Sequence, residues 1–205
     1  MLSGPAGSGK TTLAARAVEK HPDICRAITA TTREPRPGEQ DGREYYFLSK
    51  AAFRERIDAG AFVEHAEFNG NLYGTPRAEL DRRLATGQVV LLVIDVQGAR
   101  QVREQLPQAI FIFVLPPSLD ALRERLVQRG TEDSSDMENR LAIAEQEVAC
   151  MENYDYLVIN DDETAATTDL LELLTFARAH RIRGGEREAW LDGAYEGWHD
   201  VGGKG

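Results

Sequence analysis

The stretch GPAGSGKT, residues 4–11, decides how the rest of the chain is read. It matches the P-loop pattern G-x-x-x-x-G-K-[ST] in full. Gly4, Gly7 and Gly9 let backbone N–H groups turn inward around phosphate oxygens, which a Cβ would obstruct. Pro5, Ala6 and Ser8 complete the cradle. Lys10 supplies a point charge to the β- and γ-phosphates, and the Thr11 hydroxyl suits Mg²⁺. The segment TTLAARAVEK (11–20) reads as a helix, and its positive N-terminal end, at Thr11 and Thr12, adds to anion binding. A glycine-rich turn with a chance lysine would lack both the complete pattern and the helix. The loop points to a nucleoside triphosphate with Mg²⁺ and leaves the reaction open.

The 205 residues suit one domain, or a domain with insertions, large enough for a sizeable core. No apolar run approaches a membrane span, and Met1 leads into small polar residues unlike a signal peptide. Cys25 and Cys150 fit no metal-ligand spacing and read as reduced thiols, so a cytoplasmic location is expected. Net charge is −10, unevenly placed: residues 1–130 carry 18 Lys/Arg and 16 Asp/Glu, and residues 131–205 carry 6 and 18. The anion site therefore lies in the near-neutral part. The acidic excess argues against broad nucleic-acid binding, which needs a continuous basic surface.

Apolar runs at RAITA (26–30), QVVLLVID (88–95), AIFIFVL (109–115) and YDYLVIN (154–160) alternate with helical patterns near 98–106, 118–128, 138–152 and 163–181. That rhythm predicts an α/β fold, a P-loop core with a mainly parallel sheet flanked by helices. Ser118 suits an N-cap, and Pro76 suits the first turn of a helix over 76–86. Residues 31–87 break the rhythm. Their short alternating runs, with a helix at about 50–59, predict an inserted subdomain of antiparallel character. The polar segment QRGTEDSSDMENR (128–140) reads as a mobile lid. The core is thus expected at 1–30 and 88–181, the insertion at 31–87, and a C-terminal extension at 182–205.

The segment TTREPRPGEQDGREYYFL (31–48) narrows the reading. Thr31, Thr32, Arg33, Arg36, Glu39, Gly42, Tyr45 and Phe47 fill every place of a signature of the guanylate kinase family, which the chain resembles closely. Further matching stretches are FVEHAEFNGNLYGTP (62–76), IDVQGA (94–99), LPPSLDALRERLVQRGT (115–131) and YDYLVINDD (154–162). The resemblance covers roughly residues 3–175. It implies transfer of the ATP γ-phosphate to GMP, and to its deoxy form, giving ADP and GDP. It also implies that residues 31–87 bind GMP.

An acceptor monophosphate is a dianion that needs convergent donors. Arg33 and Arg36 with the phenols of Tyr45 and Tyr73 can supply them, and the resemblance assigns these four to the GMP phosphate. Otherwise the two arginines would be solvated loop charges. Guanine offers two adjacent donors on its Watson–Crick edge, which the carboxylate of Glu64 can accept side by side. By resemblance, Thr29 and Thr75 lie near the base, where Ser is common. Asp95 closes an apolar strand near metal and acceptor, or caps the helix beginning near Gly98. Many members carry Asp or Glu where this chain has Val93. Asn160 meets the ATP adenine by resemblance, or caps the NDDE turn.

The acceptor oxygen is already ionised, so transfer rests on alignment and charge neutralisation, in which Lys10 takes part. The resemblance adds Arg125, Arg129 and Arg140, which match arginines of the family's lid and adjoining helices, as catalytic residues. One rival is a catalytically inactive guanylate-kinase-like binding module, which would have lost the P-loop. Another is a P-loop kinase for a different phosphate, which Glu64 and the 31–48 signature oppose.

Only Met1 and Leu2 are available for the apolar strand before the loop, where about five or six residues are usual. The true start is therefore expected upstream, a genuine truncation being the other reading. Trp190, Leu191, Ala194, Tyr195 and Trp198 share a helical face in the tail, which reads equally as a segment docking on the body or on a second subunit, and as a frayed end.

Overall fold

The computed structural model describes residues 1–129 and 134–179, without the side chains of 128–129, 134–140 and 177–179. The lid expected over 128–140 and the extension over 182–205 lie outside the described residues, apart from the backbone of a helix that begins at Ser134.

The core sheet grows from β1 (Leu2–Ser3), which pairs in parallel with β8 (Ile112–Leu115) in the register Leu2↔Ile112. Beyond it β9 (Tyr156–Ile159) pairs with β8, Phe113 opposite Leu157. On the other side β2 (Ile24–Arg26) pairs with β7 (Val89–Leu91), and a parallel bridge from Leu2 to Val93 joins the two groups. The strands thus run β2–β7–β1–β8–β9, all parallel. Although β1 has two residues, its neighbours are paired at that height. Leu2 N–H donates to Leu92 O (2.7 Å), Ile94 N–H to Leu2 O (3.2 Å) and Ile112 N–H to Met1 O (2.9 Å).

Helices cover both faces. On one side α1 (Lys10–Lys20) and α7 (Glu163–Ala179) bury Leu13, Ala14, Ala17, Leu170 and Leu174 against Leu2, Ile112, Val114 and Val158. On the other, α4 (Val96–Gln105) brings Ala99 and Val102 onto Leu92, Ile94, Phe111 and Val63. Alternate residues of one strand serve opposite faces, as the pleat requires. The helices α5 (Leu119–Arg129) and α6 (Ser134–Val148) share a smaller cluster of Leu122, Leu126 and Ala144. Ser118 caps α5 as expected, its Oγ accepting from Ala121 N–H at 3.1 Å.

Three elements differ from the expected spans. The run 26–30 is not one strand: Ala27 still donates to Leu91 O, then the chain leaves the core and re-forms as β3 (Ala30–Thr31) in a second sheet. The run 88–95 is a strand only to Leu91, because Leu92 and Ile94 change partner to Leu2. The helix expected at 138–152 starts earlier, at Ser134, and ends in a 3₁₀ turn at Ala149–Asn153.

The second sheet has the order β4–β3–β6–β5, with β4 (Tyr46–Phe47), β5 (Phe62–Phe68) and β6 (Asn71–Pro76). Two of its pairings are antiparallel, and β3–β4 is parallel. The β5–β6 register shifts between Phe62 and Glu64, so two residues of β5 oppose one of β6, a bulge. The helix α2 (Lys50–Asp58), capped by Ser49, closes this sheet with Phe53, whose ring stacks on Phe62 at 4.4 Å. The return to the core is α3 (Arg77–Ala85), which starts directly after Pro76.

Phe53 is fully buried in a cluster with only Ala30 and Phe62 as other buried members. Phe53→Ala is expected to cost about 3–5 kcal/mol, read from urea denaturation monitored by circular dichroism. A loss below about 1 kcal/mol would show that this cluster does not hold the second sheet.

Candidate active site

The phosphate loop fills the turn from β1 to α1, and its backbone is held by close approaches. Gly4 has φ +144°, and a Cβ there would lie 2.2 Å from Val114 O. Gly9 has φ +92°, and its Cβ would lie 2.1 Å from Asn160 Nδ2. That amide occupies the space because it donates to Ser8 O at 2.8 Å. In turn Arg125 donates to Asn160 O at 2.8 Å, so α5, the end of β9 and the loop form one chain of bonds. The helix α1 has no side-chain cap bond at its start, which leaves its first N–H groups to an anion. Lys10 Nζ rests 3.3 Å from Pro5 O, and Thr11 is exposed at the loop mouth. A cleft of about 440 Å³ beside the loop is lined by Gly7, Gly9, Thr12, Arg125, Asn160, Asp161 and Glu163. Asn160 is not the cap of α7; Asp162 fills that place, accepting from Ala165 N–H at 2.8 Å.

Across from the loop the second sheet presents another polar cluster. Arg33 donates to both carboxylate oxygens of Glu39 at 2.9 Å and lies 5.4 Å from the Tyr45 ring centre. Tyr45 and Tyr73 meet edge to face at 6.3 Å. Arg36 joins this cluster through its backbone, donating to Glu39 Oε2 at 2.8 Å, while its side chain is exposed.

Deeper in, the bulge sets Glu64 directly opposite Thr75. Thr75 Oγ1 donates to Glu64 Oε1 at 2.5 Å, and Glu64 is 4% exposed. Burial pushes the Glu64 carboxyl up to about 7; the Thr75 bond opposes this and nearby Asp95 adds to it. The start of α4 approaches closely here, since a Cβ on Gly98 would lie 2.8 Å from Glu64 Oε2. Asp95 caps α4 by accepting from Gly98 N–H at 2.7 Å, so its cap role is real and also fixes it beside Glu64. Thr29 accepts from Tyr46 N–H at 2.9 Å, between the two sheets. Val93 is partly buried against the α1–α7 side of the core and bridges to Leu2.

The structure thus gathers Lys10, Asn160 and Arg125 around the loop, Arg33, Tyr45 and Tyr73 in the second cluster, and Glu64, Thr75 and Asp95 between core and insertion. The side chains of Arg129 and Arg140 lie outside the described residues. Sequence reasoning missed Glu147 on α6. Burial raises its carboxyl, Lys10 lowers it, Asp95 raises it, and the Ala6 N–H lowers it by hydrogen bonding. It is therefore within reach of the loop. No motif marks it; only its place on the helix after the expected lid could have.

A parallel sheet with a glycine-rich loop feeding a helix defines a P-loop nucleotide-binding protein. The family model for guanylate kinase matches residues 1–177. A guanylate kinase of Frankia casuarinae is 47% identical over 174 residues, covering 85% of this chain and 95% of that one. One of Thiobacillus denitrificans is 42% identical over 195 residues, covering 95% and 93%. Among solved structures, a guanylate kinase from Anaplasma phagocytophilum superposes with a TM-score of 0.73 at 32% identity, covering 95% of this chain and 94% of its own. The chain belongs to the guanylate kinase family.

The contact at Gly9 can be tested directly. Gly9→Ala must move the loop or expel Asn160, and a loss of about 1–3 kcal/mol in stability is expected from thermal unfolding. Calorimetric ATP titration should show binding weakened at least about tenfold. Unchanged ATP affinity would show that the loop tolerates this displacement.

Proposed function

We propose that the chain transfers the γ-phosphate of ATP to GMP, and to dGMP, releasing ADP and GDP. The observation that carries this reading is the pairing of a phosphate loop with a separate arginine–tyrosine cluster that has a buried carboxylate beside it. Within the guanylate kinase family, that pairing fits one nucleotide on each side of the cleft.

On the donor side, backbone N–H groups of residues 4–12 cradle the phosphates, Lys10 turns from Pro5 O toward the β- and γ-oxygens, and Arg125 and Asn160 border the purine. Among the described residues no group of three His, Cys, Asp or Glu could hold a metal by itself. An exposed Thr11 hydroxyl beside the phosphates therefore fits a cation carried in mainly by the nucleotide. Mg²⁺, when bound, neutralises phosphate charge.

On the acceptor side, Arg33 and Arg36 with the phenols of Tyr45 and Tyr73 hold the GMP phosphate. Glu64 accepts from guanine N1–H and the 2-amino group, with Thr29 and Thr75 at the base. Asp95, the cap of α4, faces both substrates. A phosphate oxygen of GMP attacks the γ-phosphorus of ATP, the bond to the β-phosphate oxygen breaks, and ADP leaves with that electron pair. No proton needs to move to a protein base. Lys10 and Arg125, with Arg129 and Arg140, neutralise the charge on the group in flight. No helix among the described residues is long and apolar enough to cross a membrane, and the substrates are free nucleotides.

The first assay is ADP release with ATP and Mg²⁺, comparing GMP with AMP and UMP. Turnover confined to GMP and dGMP is expected; binding of GMP without turnover would favour a binding module, and turnover with AMP would overturn the assignment of Glu64.

The raised Glu64 carboxyl gives a second test. Guanine needs the carboxylate, so KM for GMP should rise as pH falls below about 7, approaching about tenfold per pH unit. GMP titrates its own phosphate nearby, and Glu64→Gln retains that titration while losing the Glu64 contribution. Profiles that coincide for the two proteins would reject the role. Stability carries the opposite sign: a group raised in the folded state costs stability as pH rises from its ordinary range through about 7. Glu64→Gln should therefore be more stable than the parent above that pH, by up to about 3 kcal/mol.

A further inference from the structure

We infer that Glu79, a residue outside the family signature segment, is a positioning residue for the acceptor half-site. The inference rests on the proposed placement of GMP against the second sheet.

Glu79 lies in the first turn of α3, and its side chain is 2% exposed. A carboxylate so enclosed is costly unless its lone pairs are filled, and here four donors reach it. Ile28 N–H donates to Oε1 at 3.3 Å and the Tyr46 hydroxyl to Oε2 at 3.1 Å. Arg82 donates to Oε2 at 2.6 Å, and Arg83 donates to Oε1. Burial pushes the carboxyl up, but the bonds from Arg83, Arg82 and Ile28 N–H outweigh it and hold the group below the usual carboxylate range.

The two arginines belong to the same helix and could be met anywhere on a helix surface. The other two donors are different. Ile28 stands in the segment by which the chain leaves the core sheet, and α3 is the element by which it returns. Tyr46 opens β4 directly after Tyr45, and its own N–H donates to Thr29 O at 2.9 Å. One carboxylate therefore ties together both crossings between core and insertion and the residues next to Thr29 and Tyr45, Ile28 before the first and Tyr46 after the second. It touches no substrate group itself. Its effect on the reaction runs through where those two residues stand, and a shift of a few tenths of an ångström there weakens the hold on GMP while leaving the phosphate loop alone.

The test is steady-state kinetics of Glu79→Gln, Tyr46→Phe and the double variant, varying GMP and ATP separately. Glu79→Gln should raise KM for GMP about tenfold, with KM for ATP and saturated kcat within about twofold. Tyr46→Phe should raise KM for GMP about threefold, and the double variant should match Glu79→Gln, since both remove the same bond. A melting temperature that falls with KM for GMP unchanged would overturn the inference, as would a parallel change of both KM values. Should Glu79→Gln fail to fold, Tyr46→Phe decides alone: KM for GMP at the parent value overturns the inference. Arg33→Met is measured alongside. If it also leaves KM for GMP unchanged, the acceptor site itself has been misplaced; if it raises KM while Glu79→Gln does not, only the role of Glu79 falls.

Discussion

The hydrogen bond from Asn160 Nδ2 to Ser8 O is the constraint on which the nucleotide-binding architecture depends. A phosphate loop is a stretch of backbone whose N–H groups face the same way, and such a backbone has no side chains of its own pointing inward to hold it. Here the hold comes from outside, from the last residue of the β9 segment and through it from Arg125. The absence of a Cβ at Gly9 is the other half of that arrangement, because the amide stands where the Cβ would be. Loop, sheet edge and α5 are thus linked through two bonds, which register Arg125 to the loop.

Two buried carboxylates in the insertion illustrate how surroundings divide labour between like groups. Glu64 has one hydroxyl partner and a neighbouring Asp95, and its carboxyl is pushed up to about 7. Glu79 has four donors, two of them cationic, and its carboxyl is held low. Unmet hydrogen-bonding capacity at Glu64 is a cost to the folded state. Glu79, already satisfied, has nothing left to offer a ligand and everything to offer the frame. Arg33 is likewise satisfied within the chain: it donates to both oxygens of Glu39 at 2.9 Å.

Much of this was legible in the sequence because it depends on local pattern. The loop at 4–11, the alternation of apolar runs with helices, the cap at Ser118 and the grouping of Arg33 with Tyr45 and Tyr73 all follow from motifs or periodicity. What was not legible depends on changes of partner. The run 26–30 looks like one strand, yet its halves join different sheets, because Ile28 N–H is taken by Glu79 fifty-one residues on. The two residues of β1 looked too few to hold their neighbours, yet Leu2 alone meets both Leu92 and Ile94. Glu147 reached the loop from a helix that shows no motif. Asn160 was weighed as an adenine contact or as a cap; its bond to the loop is a third role that only the fold could reveal.

The bulge in β5 gives three successive residues three destinations. Phe62 enters the small core under α2, Val63 the main core under α4, and Glu64 the buried polar site with Thr75. Simple alternation would return the first and third side chains to the same surface. The placement of Glu64 thus depends on strand length as much as on side-chain identity. Loss of a single residue at the bulge would leave the composition of the strand almost untouched while turning the carboxylate away from Thr75. A change of that kind leaves no altered residue type to notice, since its trace is a deletion near this position and not a substitution at it.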